Sequence, residues 1–305
     1  MAYLRLARWP NLLMIGLIFL LAKTQLIDPV SELSGVISCI SNLHWLLLAL
    51  ATMLIAASGN VVNDIFDQNI DFHNKPERII VGNTISEAKA WNYYYGLGSV
   101  GLGLGMFLCW DLGNLSNSLI FMLSAGGLYF YSYSYKRQFL IGNLVVAFLA
   151  GLVPFLPLYF QMMCTPNMWM ELPWAPVLVA LGFFSFLTTL IREMIKDMED
   201  LKGDQLLKCT TIPIVLGVKG AKAIVILLLM FLMSAIVSLQ TAWIHDKDWL
   251  MFSYFLIVVQ LPAASTIFLV MRGKTPKDFH LASTLTKVLM LGGILSIVVF
   301  RIAVL

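Results

Sequence analysis

Two triplets of aspartate share one spacing: Asp64, Asp67 and Asp71, then Asp197, Asp200 and Asp204, each reading D-x-x-D-x-x-x-D. Offsets of 0, 3 and 7 put three carboxylates on one face of a helix. Like charges this close repel unless a cation joins them, and ligands that are all oxygen select a hard ion such as Mg2+. The second triplet begins 133 residues after the first. Two such clusters in one chain point to a pair of metal sites facing one polyanionic substrate.

The residues around the triplets extend this chemistry. Asn60 and Asn63 add amides to the first segment, and Asn63, Asp67 and Asp71 are each four residues apart, a ladder along one helix. The second segment runs through Arg192, Glu193, Lys196, Asp197, Glu199, Asp200, Gly203 and Asp204. Arg192 and Lys196 stand one turn apart, placed either to answer the acids or to reach an anion. Carboxylates at the C-terminal end of a helix oppose its dipole, so something must compensate them. Further bases follow at Lys75 and Arg78, and again at Lys136 and Arg137 after Tyr129, Tyr131, Tyr133 and Tyr135. Those tyrosines also suit an aromatic belt at a membrane surface. His73, alone in a loop, reads as a bystander. Acidic clusters and bases over a lipid-facing bundle fit a diphosphate whose tail extends into the membrane. Metals and bases would neutralise that leaving group as its bond to carbon breaks.

The elements that position these residues follow from composition. Of 305 residues, 59% are hydrophobic and only 12% charged, with a mean hydropathy of +0.84. That excludes an ordinary soluble domain and indicates an all-α, polytopic membrane protein. With about 20 residues per crossing, nine spans are expected, near 9–27, 44–66, 90–110, 116–134, 141–162, 174–195, 219–242, 249–271 and 284–303. The first apolar run lacks an A-x-A cleavage site and reads as a retained helix. A cytoplasmic N-terminus puts 17 of the 20 Lys and Arg residues inside, leaving Lys23, Lys247 and Arg301 outside. Both aspartate segments then end helices on the cytoplasmic side of the cell membrane, in a parallel repeat. We read residues 1–305 as one domain, with the first motif at 60–78 and the second at 192–204. Cys39, Cys109, Cys164 and Cys209 are scattered and read as core residues. A net charge of +3 gives no case for nucleic acid, and no obligate protein partner is inferred.

With these motifs in view, the whole chain resembles the UbiA superfamily of intramembrane prenyltransferases. Asn63, Asp64, Asp67 and Asp71 meet the family's N-D-x-x-D-x-x-x-D, and Asp200 and Asp204 its D-x-x-x-D. Asn74, Lys75, Pro76, Glu77 and Arg78 stand where N-R-P-x-R is usual, while Arg8, Pro10 and Asn11 look like its R-x-P-N start to the first helix. The run from Arg192 to Asp204, with Tyr131 five residues before Lys136, is similar to the geranylgeranylglycerol-phosphate geranylgeranyltransferase branch. Departures are Lys75 for arginine and Ile79 to Gly82 where P-L-x-S-G is common.

This resemblance implies Mg2+-dependent transfer of a polyprenyl group, geranylgeranyl for this branch, from its diphosphate to a membrane-associated, lipid-like acceptor. Asn63, Asp67 and Asp71 would hold one ion, and Asp200 and Asp204 the other. Arg8, Asn11, Lys75, Arg78, Lys136, Arg137, Arg192 and Lys196 would bind substrate, with Tyr131 against the allylic cation. Asp64 or Asp197 would take the acceptor's proton. An anionic prenylglycerol phosphate suits the many bases, and the alternative is an aromatic acceptor of quinone synthesis. A cation transporter would carry ionisable groups at mid-membrane, which most of these spans lack.

Overall fold

The computed structural model describes residues 1–34, 40–68, 79–164 and 174–304, and among them regular structure is helical, with no strand. In chain order the α-helices are α1 (Ala2–Leu6), α2 (Trp9–Leu21), α3 (Asp28–Ser34), α4 (Asn42–Phe66), α5 (Glu87–Asp111), α6 (Leu119–Tyr133) and α7 (Ile141–Cys164). They continue as α8 (Ala175–Glu199), α9 (Leu201–Leu206), α10 (Ile212–Val215), α11 (Gly217–His245), α12 (Trp249–Tyr254), α13 (Leu261–Arg272) and α14 (Pro276–Val304). A π-helical stretch, Ala22–Ile27, joins α2 to α3, and another, Phe255–Gln260, joins α12 to α13.

Among the described residues, seven helical stretches are long and apolar enough to cross a membrane: Trp9–Leu33, Asn42–Phe66, Ile141–Met162, Ala175–Glu199, Gly217–His245, Trp249–Arg272 and Pro276–Ala303. Nine were expected. The two others exist as helices where the sequence placed them, but α5 opens on Glu87, Lys89 and Asn92 and holds five glycines. Helix α6 has 15 residues, roughly 22 Å at the helical rise, against a hydrocarbon core of about 30 Å. Large apolar side chains stay exposed along the long helices, among them Leu123, Leu227, Leu261 and Ile302. Exposure on that scale is what lipid contact requires.

The chain forms two compact units. One comprises Met1–Leu17, Ile40–Val145 and Lys202–Cys209. Within it, Ser41 caps α4 by accepting from the His44 N–H at 3.2 Å, while His44 Nδ1 accepts from the Ser41 N–H at 3.4 Å. The His44 ring also reaches Asp111 at 2.7 Å, tying the start of α4 to the end of α5. Glycines let these helices approach. A Cβ at Gly101 would lie 3.0 Å from Ile55, one at Gly59 2.7 Å from Leu128, and one at Gly105 2.6 Å from the Phe121 ring. Inside a bilayer, close packing of this kind replaces the hydrophobic driving force. At the end of α4, Leu6, Val61, Ile65, Val81, Ile85 and Ala90 form a buried apolar layer.

The other unit comprises Ile18–Cys39, Val146–Leu201 and Thr210–Leu305. Here α7 and α8 touch through their backbones, since a Cβ at Gly151 would sit 2.9 Å from the Gly182 carbonyl oxygen. Helices α8 and α14 meet where Phe184 fills the space left by Gly293. Arg301 donates to the Thr24 carbonyl oxygen at 3.1 Å, and Lys23 pairs with Asp28 at 2.8 Å. Lys23 and Arg301, two of the three bases assigned to one face, thus lie at one end of this unit. Lys222 donates to the Gly273 carbonyl oxygen at 2.6 Å, near the C-terminal end of α13, where a cation suits the helix dipole.

Candidate functional site

Helix α4 runs out at Phe66, and Asp67 caps it, its N–H donating to the Asn63 carbonyl oxygen at 2.9 Å. The carboxylates that oppose the dipole are answered by cations from distant parts of the chain. Arg8 Nη2 donates to Asp64 Oδ1 at 2.6 Å, and the Lys136 ammonium is ion-paired with Asp67 Oδ1. Asn63 Nδ2 donates to the other Asp67 oxygen at 2.7 Å. That leaves Asn63 Oδ1, which is buried and accepts no hydrogen bond. An acceptor orphaned in this way ordinarily costs about 1–3 kcal/mol. A hard cation takes amide oxygen as a ligand, so the residue set fits the ion that the sequence implies. Among the described residues no three His, Cys, Asp or Glu side chains converge as a metal centre. Asp71, Lys75 and Arg78 lie outside the described residues.

Arg8 is set by the turn between α1 and α2. Its φ is +53°, in the left-handed region, which costs a side chain other than glycine about 1–2 kcal/mol. Asn60 holds this turn: its Nδ2 donates to the Ala7 carbonyl oxygen at 3.0 Å. This amide therefore faces α1, where the sequence reading grouped it with Asn63 as a further polar ligand. Burial works against charge on Arg8, yet the Asp64 carboxylate, by field and hydrogen bond, and then Asp67 hold its pKa above the ordinary value. Tyr131 acts on Arg8 in the same direction, which brings it into the same cluster. Asn11, next along the chain, is exposed, and its N–H closes the turn on the Arg8 carbonyl oxygen at 2.8 Å.

Lys136 and Arg137 lie in a short 3-10 turn, Tyr135–Arg137, between α6 and α7. Gly142 lets α7 start against it, since a Cβ there would meet Lys136 Cα at 2.6 Å. Burial lowers the Lys136 pKa, against the pull of Asp67, and Arg137 and Arg8 lower it further. Asp204, on α9, is buried in the same unit. The Cys209 thiol feels it together with Arg137, Lys136 and Asp67, and burial, then Asp204, raise that thiol's pKa. Around the end of α4, Arg8, Lys136 and Arg137 thus stand against Asp64, Asp67 and Asp204. Among the described residues, three of the four with positive φ other than glycine, Arg8, Leu140 and Lys208, flank these elements. Such strain clusters at functional sites.

At the end of α8, in the second unit, the two bases answer an acid, one of the two arrangements expected for them. Arg192 Nη1 and Lys196 Nζ both donate to Glu193, at 2.8 and 2.9 Å. Glu193 is buried, and the sequence reading had given it no role. Glu199, also buried, meets His280 Nδ1 at 3.1 Å. Asp200 caps α8 through an N–H bond to the Lys196 carbonyl oxygen at 2.9 Å, and Asp197 lies on the last turn. The signal for Glu193 was available: it is a carboxylate inside the last two turns of α8, flanked by bases at one and three residues.

A profile of the UbiA prenyltransferase family matches residues 12–290. The digeranylgeranylglyceryl phosphate synthase of Methanosphaera stadtmanae is 29% identical over 259 residues, covering 85% of this chain and 88% of that protein. A solved structure described as digeranylgeranylglyceryl phosphate synthase in membranes shares the fold, with a TM-score of 0.62 and 24% identity over 97% of this chain and 98% of that one. So does a UbiA homolog from Archaeoglobus fulgidus bound to DMAPP and Mg2+, with a TM-score of 0.51 and 15% identity over 98% of this chain and 99% of that one.

Proposed function

We infer what this chain does from one premise: it belongs to the UbiA prenyltransferase family. It is an integral membrane prenyltransferase that uses Mg2+ to move a polyprenyl group, geranylgeranyl by its likeness to the archaeal synthases, from diphosphate to the hydroxyl of a prenylglycerol phosphate. The observation that carries this reading is the cluster at the end of α4. Arg8 is paired with Asp64 and Lys136 with Asp67 there, and beside Asp67 the Asn63 amide keeps a buried oxygen that has no hydrogen-bond partner.

On this reading the residues that would hold magnesium are Asn63, Asp67 and Asp71 for one ion and, by the D-x-x-x-D motif, Asp200 and Asp204 for the other. Bound there, magnesium supplies positive charge to a diphosphate as it leaves. Lys136, Arg137, Lys75 and Arg78 add charge-assisted hydrogen bonds to phosphate oxygens. Arg8, held by Asp64, orders the edge of the site, while Arg192 and Lys196 are held by Glu193 within their own unit. The allylic C–O bond breaks with its electron pair on the diphosphate, and Tyr131 faces the resulting cation. The acceptor oxygen forms the new ether bond and gives its proton to a carboxylate, Asp64 or Asp197. The bundle spans the bilayer nine times, α5 and α6 included, with the N-terminus and both motifs at the cytoplasmic face.

Membranes carrying the chain are incubated with labelled geranylgeranyl diphosphate, Mg2+ and either a prenylglycerol phosphate, 4-hydroxybenzoate or a dihydroxynaphthoate. Label should enter only the first acceptor, and Asp67→Ala or Asp200→Ala should abolish the product while the protein still inserts. Label in an aromatic product, or activity retained in either variant, would overturn the assignment.

A further inference from the structure

Both oxygens of Asp67 are occupied, one by the Lys136 ammonium and one by Asn63 Nδ2. Neither partner in the ion pair is much exposed: Lys136 is 10% and Asp67 15% accessible. A divalent ion that used Asp67 together with Asn63 Oδ1 would have to share an oxygen already engaged by Lys136 or by Asn63 Nδ2, and would lie against the Lys136 ammonium. Among the described residues the cluster is also balanced, with Arg8, Lys136 and Arg137 set against Asp64, Asp67 and Asp204. Adding Mg2+ alone would leave two uncompensated positive charges and drive a buried ammonium off its carboxylate. That is costly, because removing one partner strands the other charge in a poorly solvated site. A diphosphate arriving with the ion reverses both terms. It brings negative charge, and its oxygens give Lys136 a new acceptor.

We propose that Lys136 is a resident counter-cation on Asp67, so that Asn63 and Asp67 take up a divalent metal only together with a diphosphate. This rests on the reading of Asp67 and Asn63 as metal ligands. Metal and diphosphate then bind with positive coupling, and by linkage each tightens the other by the same factor. The consequence for the enzyme is that an empty site does not accumulate metal, and the metal-loaded state forms around the donor. Lys136 acts as a positioning residue before the donor arrives and contacts it afterwards.

Mn2+ binding to the purified full chain in nanodiscs tests this, followed by loss of the free-ion EPR signal with and without a non-reactive prenyl thiodiphosphate, against protein-free controls. The wild type should bind Mn2+ at least about 10-fold more tightly with the analogue, within the usual range of coupling between sites. Lys136→Gln should bind Mn2+ alone several-fold more tightly than the wild type and lose most of the dependence on the analogue. Lys136→Arg, which keeps the cation, should retain it. Equal wild-type affinity with and without the analogue would overturn the proposal while leaving the metal reading intact. An equal gain in Arg137→Gln would also overturn it, since the effect would then be one of general charge. Absence of Mn2+ binding under every condition would overturn both the proposal and the metal reading. If Lys136→Gln does not give a monodisperse protein, the wild-type comparison alone decides.

Discussion

The hydrogen bond from Asn60 to the Ala7 carbonyl oxygen makes a sharp test of how the site is held. Replacing Asn60 by Ala deletes the donor and leaves a carbonyl of a buried residue without its partner. An unsatisfied buried acceptor of this kind costs about 1–3 kcal/mol. The turn it secures also carries a left-handed Arg8, whose backbone strain favours opening. At RT of about 0.6 kcal/mol, the loss multiplies the open population of the turn by roughly 5- to 150-fold. Amide hydrogen exchange of the full chain in nanodiscs reads this directly. The Arg8 N–H, bonded to the Arg5 carbonyl oxygen, and the Asn11 N–H, bonded to that of Arg8, should exchange faster by that factor. The interior of α4 should be unchanged, and prenyl transfer should fall as the Arg8–Asp64 pair loosens. Asn60→Asp should be worse than Ala, because it sets one acceptor against another. Exchange of residues 8–11 within two-fold of wild type, together with full activity, would refute the reasoning.

Two further outcomes follow from packing and charge. Cys209 should alkylate slowly at pH 8.5, where an ordinary thiol of pKa about 8.5 is half ionised, because burial and then Asp204 raise its pKa and shrink the thiolate fraction. Asp204→Asn should move the pH profile of its alkylation, followed by peptide mass spectrometry, to lower pH. Gly105→Ala places a Cβ 2.6 Å from the Phe121 ring and should destabilise the packing of α5 on α6 by about 1–3 kcal/mol, lowering Tm in detergent. Phe121→Leu should recover part of that loss in a double-mutant cycle, which an unrelated site would not.

Much of this protein is written locally. Apolar runs of span length specify helices, because in lipid each backbone polar group must be satisfied within its own segment. Scarce charge marks where those runs meet water. The spacing of Asn63 and Asp67 at one helical turn is realised as a direct hydrogen bond of 2.7 Å, and repeats of three and four need no tertiary information to share a face. Membership of the family was legible for the same reason, since its motifs are short and contiguous. Span length was less so: α6 is a helix at the expected place but only 15 residues long, because turns on either side claim the rest.

What only the tertiary structure decided is which charge answers which. Lys136 lies 69 residues from Asp67, and Arg8 lies 56 residues from Asp64. The sequence offered both bases to a substrate, whereas in the folded chain each is already on a carboxylate. Arg192 and Lys196 likewise turn to Glu193, a residue to which no role had been assigned. Coulomb energy depends on distance and burial, and neither is a property of sequence separation. The aspartate triplets could be read as a site from their spacing alone. That the first of them keeps a cation of its own, beside an amide oxygen left without a partner, depends on helices and turns distant in sequence meeting at the end of α4.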